Sequence, residues 1–365
     1  MRIKRNVALL AVGATALLGL AACSSGDTGG NGGTGGGDEG GTTTELAVVG
    51  WGGGYSEATQ QYLLDPFADE SGIEVFMEDA PGKQIQGLQQ QAETGDQLWD
   101  FLDTIPADQA LYGYEEGLIA ELPDDVRSEL ESVLQPGAVL DYGFTSASLG
   151  VVIVCNKELV DKCPQNAAEF FDTQAFPGAR ALPAEALESL TFANIAAGMP
   201  LDEVATSPID FDTALEKIDG IRDDVTVFWE GGDMLVNTLK NEEAAIALAW
   251  SGRAAGLISE GLDLEIVWQD GMLSPGVFAV AENSPNKDAA FDLMVHIAKN
   301  AEGLAGFAEQ MNYGVSNQAA LDLIPAEISE NLVNSHLDTV TPFNVEWYSQ
   351  NQGDIEDRWR EVVSG

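Results

Sequence analysis

E-L-A-V-V-G-W-G-G-G-Y-S, residues 45–56, sets a short apolar run, a glycine loop between two aromatics and a polar segment in a row. Glu45–Gly50 reads as a buried strand, and residues 56–70, with Ala58, Tyr62 and Phe67 on one face, read as a helix. A glycine loop between strand and helix invites a nucleotide phosphate, but the spacing refuses it. A dinucleotide fingerprint starting at Gly50 requires glycine where Tyr55 stands, and no Gly-Lys-Ser/Thr follows for a P-loop. The glycines instead permit positive-φ backbone and a close approach of something held between Trp51 and Tyr55.

The same rhythm continues outward. Residues 72–77 (G-I-E-V-F-M) and 99–104 (W-D-F-L-D-T) read as strands, with a helix over 83–94 between them. It restarts after Tyr142, with strands over 149–155, 244–250 and 264–268 and helices between. Short apolar strands alternating with helices imply a mostly parallel α/β sheet, and two such blocks imply two lobes. Ligands of such sheets bind beyond the carboxyl ends of the strands, where the loops 50–55 and 103–108 would meet.

The chain has 365 residues, 60 acidic and 16 basic, for a net charge of −44. Phosphate backbones would repel it, so nucleic acid is excluded as a partner. The charge is spread along the chain and reads as a solvated, repulsive surface suited to a salty medium. Arg2, Lys4 and Arg5 precede an apolar stretch over 7–20, which reads as a secretory signal, 1–22, too short to span a bilayer. It ends in L-A-A-C-S, which resembles the lipobox of bacterial lipoproteins, with Cys23 as the lipidated residue and membrane anchor. Ten of the 16 residues from Gly26 to Gly41 are glycine. Such a segment cannot offset its ordering entropy, so 23–44 reads as a tether reaching roughly 25 Å. Cys155 and Cys163 are then left in an oxidising compartment, where a disulfide is expected; two buried free thiols are the alternative. The two histidines, His296 and His336, form no H-E-x-x-H, and neither C-x-x-C nor G-x-S-x-G occurs. No nucleophile, metal or base constellation stands out, so neither an enzyme nor a cofactor or metal is expected.

Several phrases in order resemble one family, the solute receptors of ABC importers in their spermidine/putrescine-binding branch. They include W-G-G-G-Y-S-E-A (51–58), W-D-F-L-D-T (99–104), F-F-D-T-Q-A-F-P-G-A-R-A-L (170–182), F-W-E-G-G-D-M-L (228–235), E-A-A-I-A-L-A-W-S-G-R (243–253), M-N-Y-G-V-S-N-Q-A-A (311–320) and E-W-Y-S-Q-N (346–351). The resemblance implies a type II-like periplasmic-binding-protein fold: two α/β lobes joined by crossing strands, with a hinge and a ligand cleft between them. Lobe 1 would be 45–145 plus 271–340, lobe 2 would be 146–270, and 341–365 would pack across both. It also implies an extracytoplasmic monomer that hands a small solute to a permease.

Within that resemblance the ligand-binding residues would be Trp51, Tyr55, Trp229, Trp250, Tyr313 and Trp347 as aromatic walls and Glu185 and Glu188 as amine-binding acids. Aromatic faces and carboxylates both suit ammonium groups. Asp103 and Asp108 would substitute for a Ser/Thr- and Tyr-bearing loop. In L-S-P-G-V (273–277), Ser274 and Gly276 stand where a ring and an amine-fixing carboxylate are expected. The expected solute is a polyamine-like small organic cation. The alternative is an amino-acid derivative or opine-like compound whose carboxylate meets Arg253; an exported hydrolase is the alternative from another class.

Overall fold

A computed structural model describes residues 45–364; the expected signal over 1–22, Cys23 and the expected tether over 23–44 lie outside the described residues. Ten strands form one sheet: β1 (Glu45–Gly50), β2 (Glu74–Asp79), β3 (Phe101–Pro106), β4 (Val139–Leu140), β5 (Gly143–Asn156), β6 (Arg180–Pro183), β7 (Val225–Trp229), β8 (Ile246–Trp250), β9 (Leu264–Val280) and β10 (Val340–Pro342). Their order is β2-β1-β3-β9-β5-β8-β6-β7, with β4 on β5 and β10 on β9. At either end the strands run parallel, β2-β1-β3 on one side and β8-β6-β7 on the other. In the centre β9 pairs antiparallel with both β3 and β5, and β5 with β8. The expected parallel sheet is therefore mixed: two parallel ends are stitched together by two long antiparallel strands.

Most strands are apolar on both faces because helices cover both. In β5, Val151, Ile153 and Cys155 enter one core cluster while Val152 and Val154 enter another. Leu46 and Val48 of β1 pack likewise on the side opposite Val49. This period-2 division of continuous apolar runs is what a doubly covered sheet demands.

The helix expected over 56–70 begins at Gly53 and runs as Gly53–Thr59, a π-helical stretch Gln60–Leu64 and Asp65–Ser71. The π turn lies just before Pro66, which has no N–H to give, and Gly72 ends the run at φ 74°. Four strands, β4, β6, β7 and β10, escape the sequence reading. Another, expected over 264–268, is 17 residues long. Its D-G-M-L-S-P-G segment carries turn chemistry, yet it is the strand that crosses the molecule. Pro275 is accommodated because the ladder is broken there. β5 shifts register between Ser146 and Leu149, whose partners are Gly276 and Ser274, so Pro275 has no partner. A proline costs nothing where no ladder bond exists.

Cys155, at the end of β5, and Cys163 are joined by a disulfide with their Cα atoms 5.8 Å apart. No helix among the described residues is long and apolar enough to cross a membrane.

Candidate ligand-binding cleft

The carboxyl ends of the parallel strands from both ends of the sheet open into one cleft of about 430 Å³. The segment after β1 brings Trp51 and Tyr55, and the segment after β3 brings Asp108. From the opposite end come Glu185 and Glu188 after β6, and Trp250 at the end of β8. A cleft at strand carboxyl ends is what this sheet topology predicts. Its floor is irregular backbone. Thr104 (φ 48°) and Ala147 (φ 49°) adopt left-handed conformations in the bulges of β3 and β5, beside Ser274 and Gly276 of β9. Bulges re-aim side chains, and three adjacent strands are irregular at the same level.

The walls are aromatic and braced. The Trp51 indole donates to the Thr104 carbonyl at 3.0 Å, and its ring meets Trp250 edge-on at 6.3 Å across the cleft. The Trp250 indole N–H is shared between the two Glu188 oxygens at 3.0 and 3.3 Å. Tyr55 rests edge-on against Phe307 and beside Tyr313, with its hydroxyl on the Thr104 hydroxyl.

The charges divide into two groups. Glu188, Glu185 and Asp108 form the first. Burial holds Glu188 up at about 8, with Glu185 and Asp108 adding repulsion. Burial likewise holds Glu185 at about 7, helped by Asp108 and Glu356, and Asp108 at about 6 despite backbone N–H bonds that oppose the shift. The second group is Arg253, which lies beside Tyr313 and 4.0 Å from Asp233, with its buried Nε unpartnered. Gly232 makes room for it: a Cβ there would lie 2.4 Å from Nε.

Eight of the expected ligand residues therefore line the cleft: Trp51, Tyr55, Asp108, Glu185, Glu188, Trp250, Ser274 and Tyr313. Three do not. Trp229 is fully buried, donates its indole N–H to the Leu248 carbonyl at 3.1 Å and supports Trp250 from behind at 4.9 Å. Asp103 is fully buried behind Tyr55. Trp347, in helix Val345–Ser364, packs against the core, and Val345 of the same helix reaches the cleft instead. Gly276 has no room for a carboxylate, since a Cβ there would sit 2.8 Å from Thr104 Cβ and 3.0 Å from the Ser146 carbonyl. The sequence reading missed Gly232 and Asp233. The signal was present in F-W-E-G-G-D-M-L, a strand, two glycines and a helix start, which parallels V-V-G-W-G-G-G-Y.

Residues 62–333 match the family described as bacterial extracellular solute-binding protein. The chain belongs to this family. Over 86% of its length and 89% of the relative's, it is 25% identical to the gamma-aminobutyric acid-binding protein of Pseudomonas aeruginosa. The solved Atu4243-GABA receptor superposes with a TM-score of 0.79 at 27% identity, covering 87% of this chain and 96% of that one. The MotA protein of A. tumefaciens B6, solved with glucopine, shares the fold at TM-score 0.80 and 22% identity, over 87% of this chain and 99% of that one. The solute-binding protein thus has the two-lobed periplasmic-binding fold with its cleft between the lobes. Its role is that of a solute-binding receptor of an ABC importer.

Proposed function

We propose that this receptor captures a small zwitterionic amino-acid derivative, with its carboxylate on Arg253 and its amine among Glu188, Glu185 and Asp108. The opposition of Arg253 to the group Glu188, Glu185 and Asp108, in a single cleft whose lining also takes in Lys83, Glu230 and Asp233, carries the reading. A polyamine offers nothing to Arg253 and would bury a second positive charge beside it, which like-charge repulsion disfavours. A zwitterion satisfies both ends and lets the indoles cover the chain between. The GABA-binding relative supports this choice over the polyamine expected from the sequence. In the same proposal Cys23 carries the lipid anchor, the receptor works as a monomer with its permease, and the lobes divide at 45–145 plus 271–340 against 146–270, with 341–365 across both.

Calorimetric titration of unliganded protein with GABA, putrescine and spermidine tests the solute class, and native mass spectrometry of the gently purified protein identifies any retained molecule. Binding or retention of a zwitterion, weakened at least about 30-fold by Arg253→Ala, is the expected result, since an unpaired buried charge costs about 2 kcal/mol or more. Tight putrescine or spermidine binding that survives Arg253→Ala would overturn it.

A further inference from the structure

We propose that Gly252 is the stop against which the cleft closes: Tyr313, carried by the opposite end of the sheet, lands on it, and the missing side chain lets the two walls meet. The proposal rests on the two-lobed fold and not on the identity of the solute. Gly252 lies in the first turn of the helix Ser251–Ser259, which follows β8 and packs through Ala254 and Leu257 into the core of that end. Tyr313 follows the helix Ala301–Met311 and belongs to the core that holds Leu46 and Val48 of β1. A Cβ at 252 would lie 2.3 and 2.4 Å from Cε1 and Cδ1 of the Tyr313 ring and 2.6 Å from the Met311 carbonyl oxygen. Atoms do not pack that closely, so only glycine fits. The backbone does not ask for it: Gly252 has no left-handed φ, and alanine is the better helix former. What demands the glycine is a neighbour from the other half of the molecule.

The strip 250–253 faces that other half along its length. Trp250 meets Trp51 edge-on, Gly252 takes the Tyr313 ring, and Arg253 lies beside Tyr313. Both partners of the seat are tied to β5, which runs through the centre of the sheet. Ser251 Oγ accepts from the Gly150 N–H at 3.0 Å, and Gly314 exchanges two backbone hydrogen bonds with Ser148 at 2.7 and 2.8 Å. Ser148 and Gly150 stand two residues apart, beside the irregular stretch of β5. The seat therefore sits near the axis about which the two ends turn, and an obstruction there is multiplied at the rim. At the rim the ends approach again: a Cβ at Gly53, after β1, would lie 3.2 Å from Oδ2 of Asp233, after β7. Packed surfaces have discrete arrangements rather than a continuous give, so a methyl at 252 leaves the open arrangement and excludes the closed one.

Gly53→Cys with Asp233→Cys turns the rim into a gauge, since closure brings the two positions within disulfide reach. The whole chain carrying this pair is treated with oxidised glutathione, and the peptide joining positions 53 and 233 is timed by mass spectrometry, with and without Gly252→Ala. Cross-linking that Gly252→Ala slows about ten-fold or more is expected, as overpacking of the closed state alone would give, with far-UV dichroism and melting temperature little changed. Adding Tyr313→Ala to Gly252→Ala should recover part of the rate, because only the Met311 carbonyl then stands in the way. Equal rates with and without Gly252→Ala, a pair that never links, or no recovery on removing the ring would overturn the proposal. A Gly252→Ala chain that melts early or does not fold would show that the ring faces the glycine in every state, as static packing, and would overturn it too. None of these measurements needs a solute, so the zwitterion reading can fail separately.

Discussion

Arg253 owes its place to a glycine. The guanidinium lies where the side chain of residue 232 would be, so Gly232→Ala should displace it while leaving the helix Gly232–Lys240 intact. The expected outcome is an unchanged far-UV dichroism with solute affinity reduced about as far as in Arg253→Ala; full affinity in Gly232→Ala would show that Arg253 is not a contact. The cleft acids set a pH dependence. Their folded values of about 8, 7 and 6 exceed those of free carboxyls, so the folded chain holds more protons than the unfolded one between about pH 5 and 8. Stability of the unliganded protein should be highest at the acid end of that window and fall as pH rises through it. An amine in the cleft favours the ionised acids, so its binding should strengthen over the same range and release protons. Melting curves across pH, and titrations in buffers of different ionisation heat, check both signs; a melting temperature that climbs from pH 5 to 8 would refute the first. Residue type alone showed which side chains suit the chemistry, but not which way they face. Trp229 and Glu230 are neighbours, and only Glu230 reaches the cleft, because one step along a strand reverses the face.

At the scale of elements, the loop after β1 was legible because three glycines stand between two aromatics at 51–55, whereas the like signal at 228–235 went unread together with β7. The crossing strand β9 was not legible either, because its turn-like residues sit where the ladder is already interrupted. Pro275→Ala should therefore restore no hydrogen bond and lower stability by no more than about 1 kcal/mol through unfolded-state entropy, as urea unfolding would show; a gain would contradict the missing ladder partner. The disulfide, with a sequence separation of 8, closes a short loop at the end of β5. Loop entropy gives it about 2–3 kcal/mol, so Cys155→Ser with Cys163→Ser should lower unfolding free energy by that amount, and equal midpoints would argue that the bridge contributes nothing.

For the whole molecule, a charge of −44 is large, and the ion pairs found among the described residues sit mainly at the surface, as at Lys157–Asp263 and Lys299–Glu129. Exposed pairs contribute little, while self-repulsion acts throughout. Raising sodium chloride from about 0.05 M to about 1 M shortens the screening length to about 3 Å and should raise the melting temperature; a flat response would mean the acids are already neutralised locally. The two-block alternation was readable over the full chain length, whereas the antiparallel centre was not, since local sequence does not record strand direction.

The pairing of β3 with β9 has a consequence in time. Phe101 meets Val280 and Leu102 meets Ala279, so the N-terminal end of the sheet lacks a strand until residues near 280 have appeared. A chain emerging N-terminus first would carry more than half its length with that edge open. Closing so long a loop is slow. A fragment ending before β9 should show no cooperative unfolding transition, and the intact chain should stay threadable through a narrow pore until late in its passage.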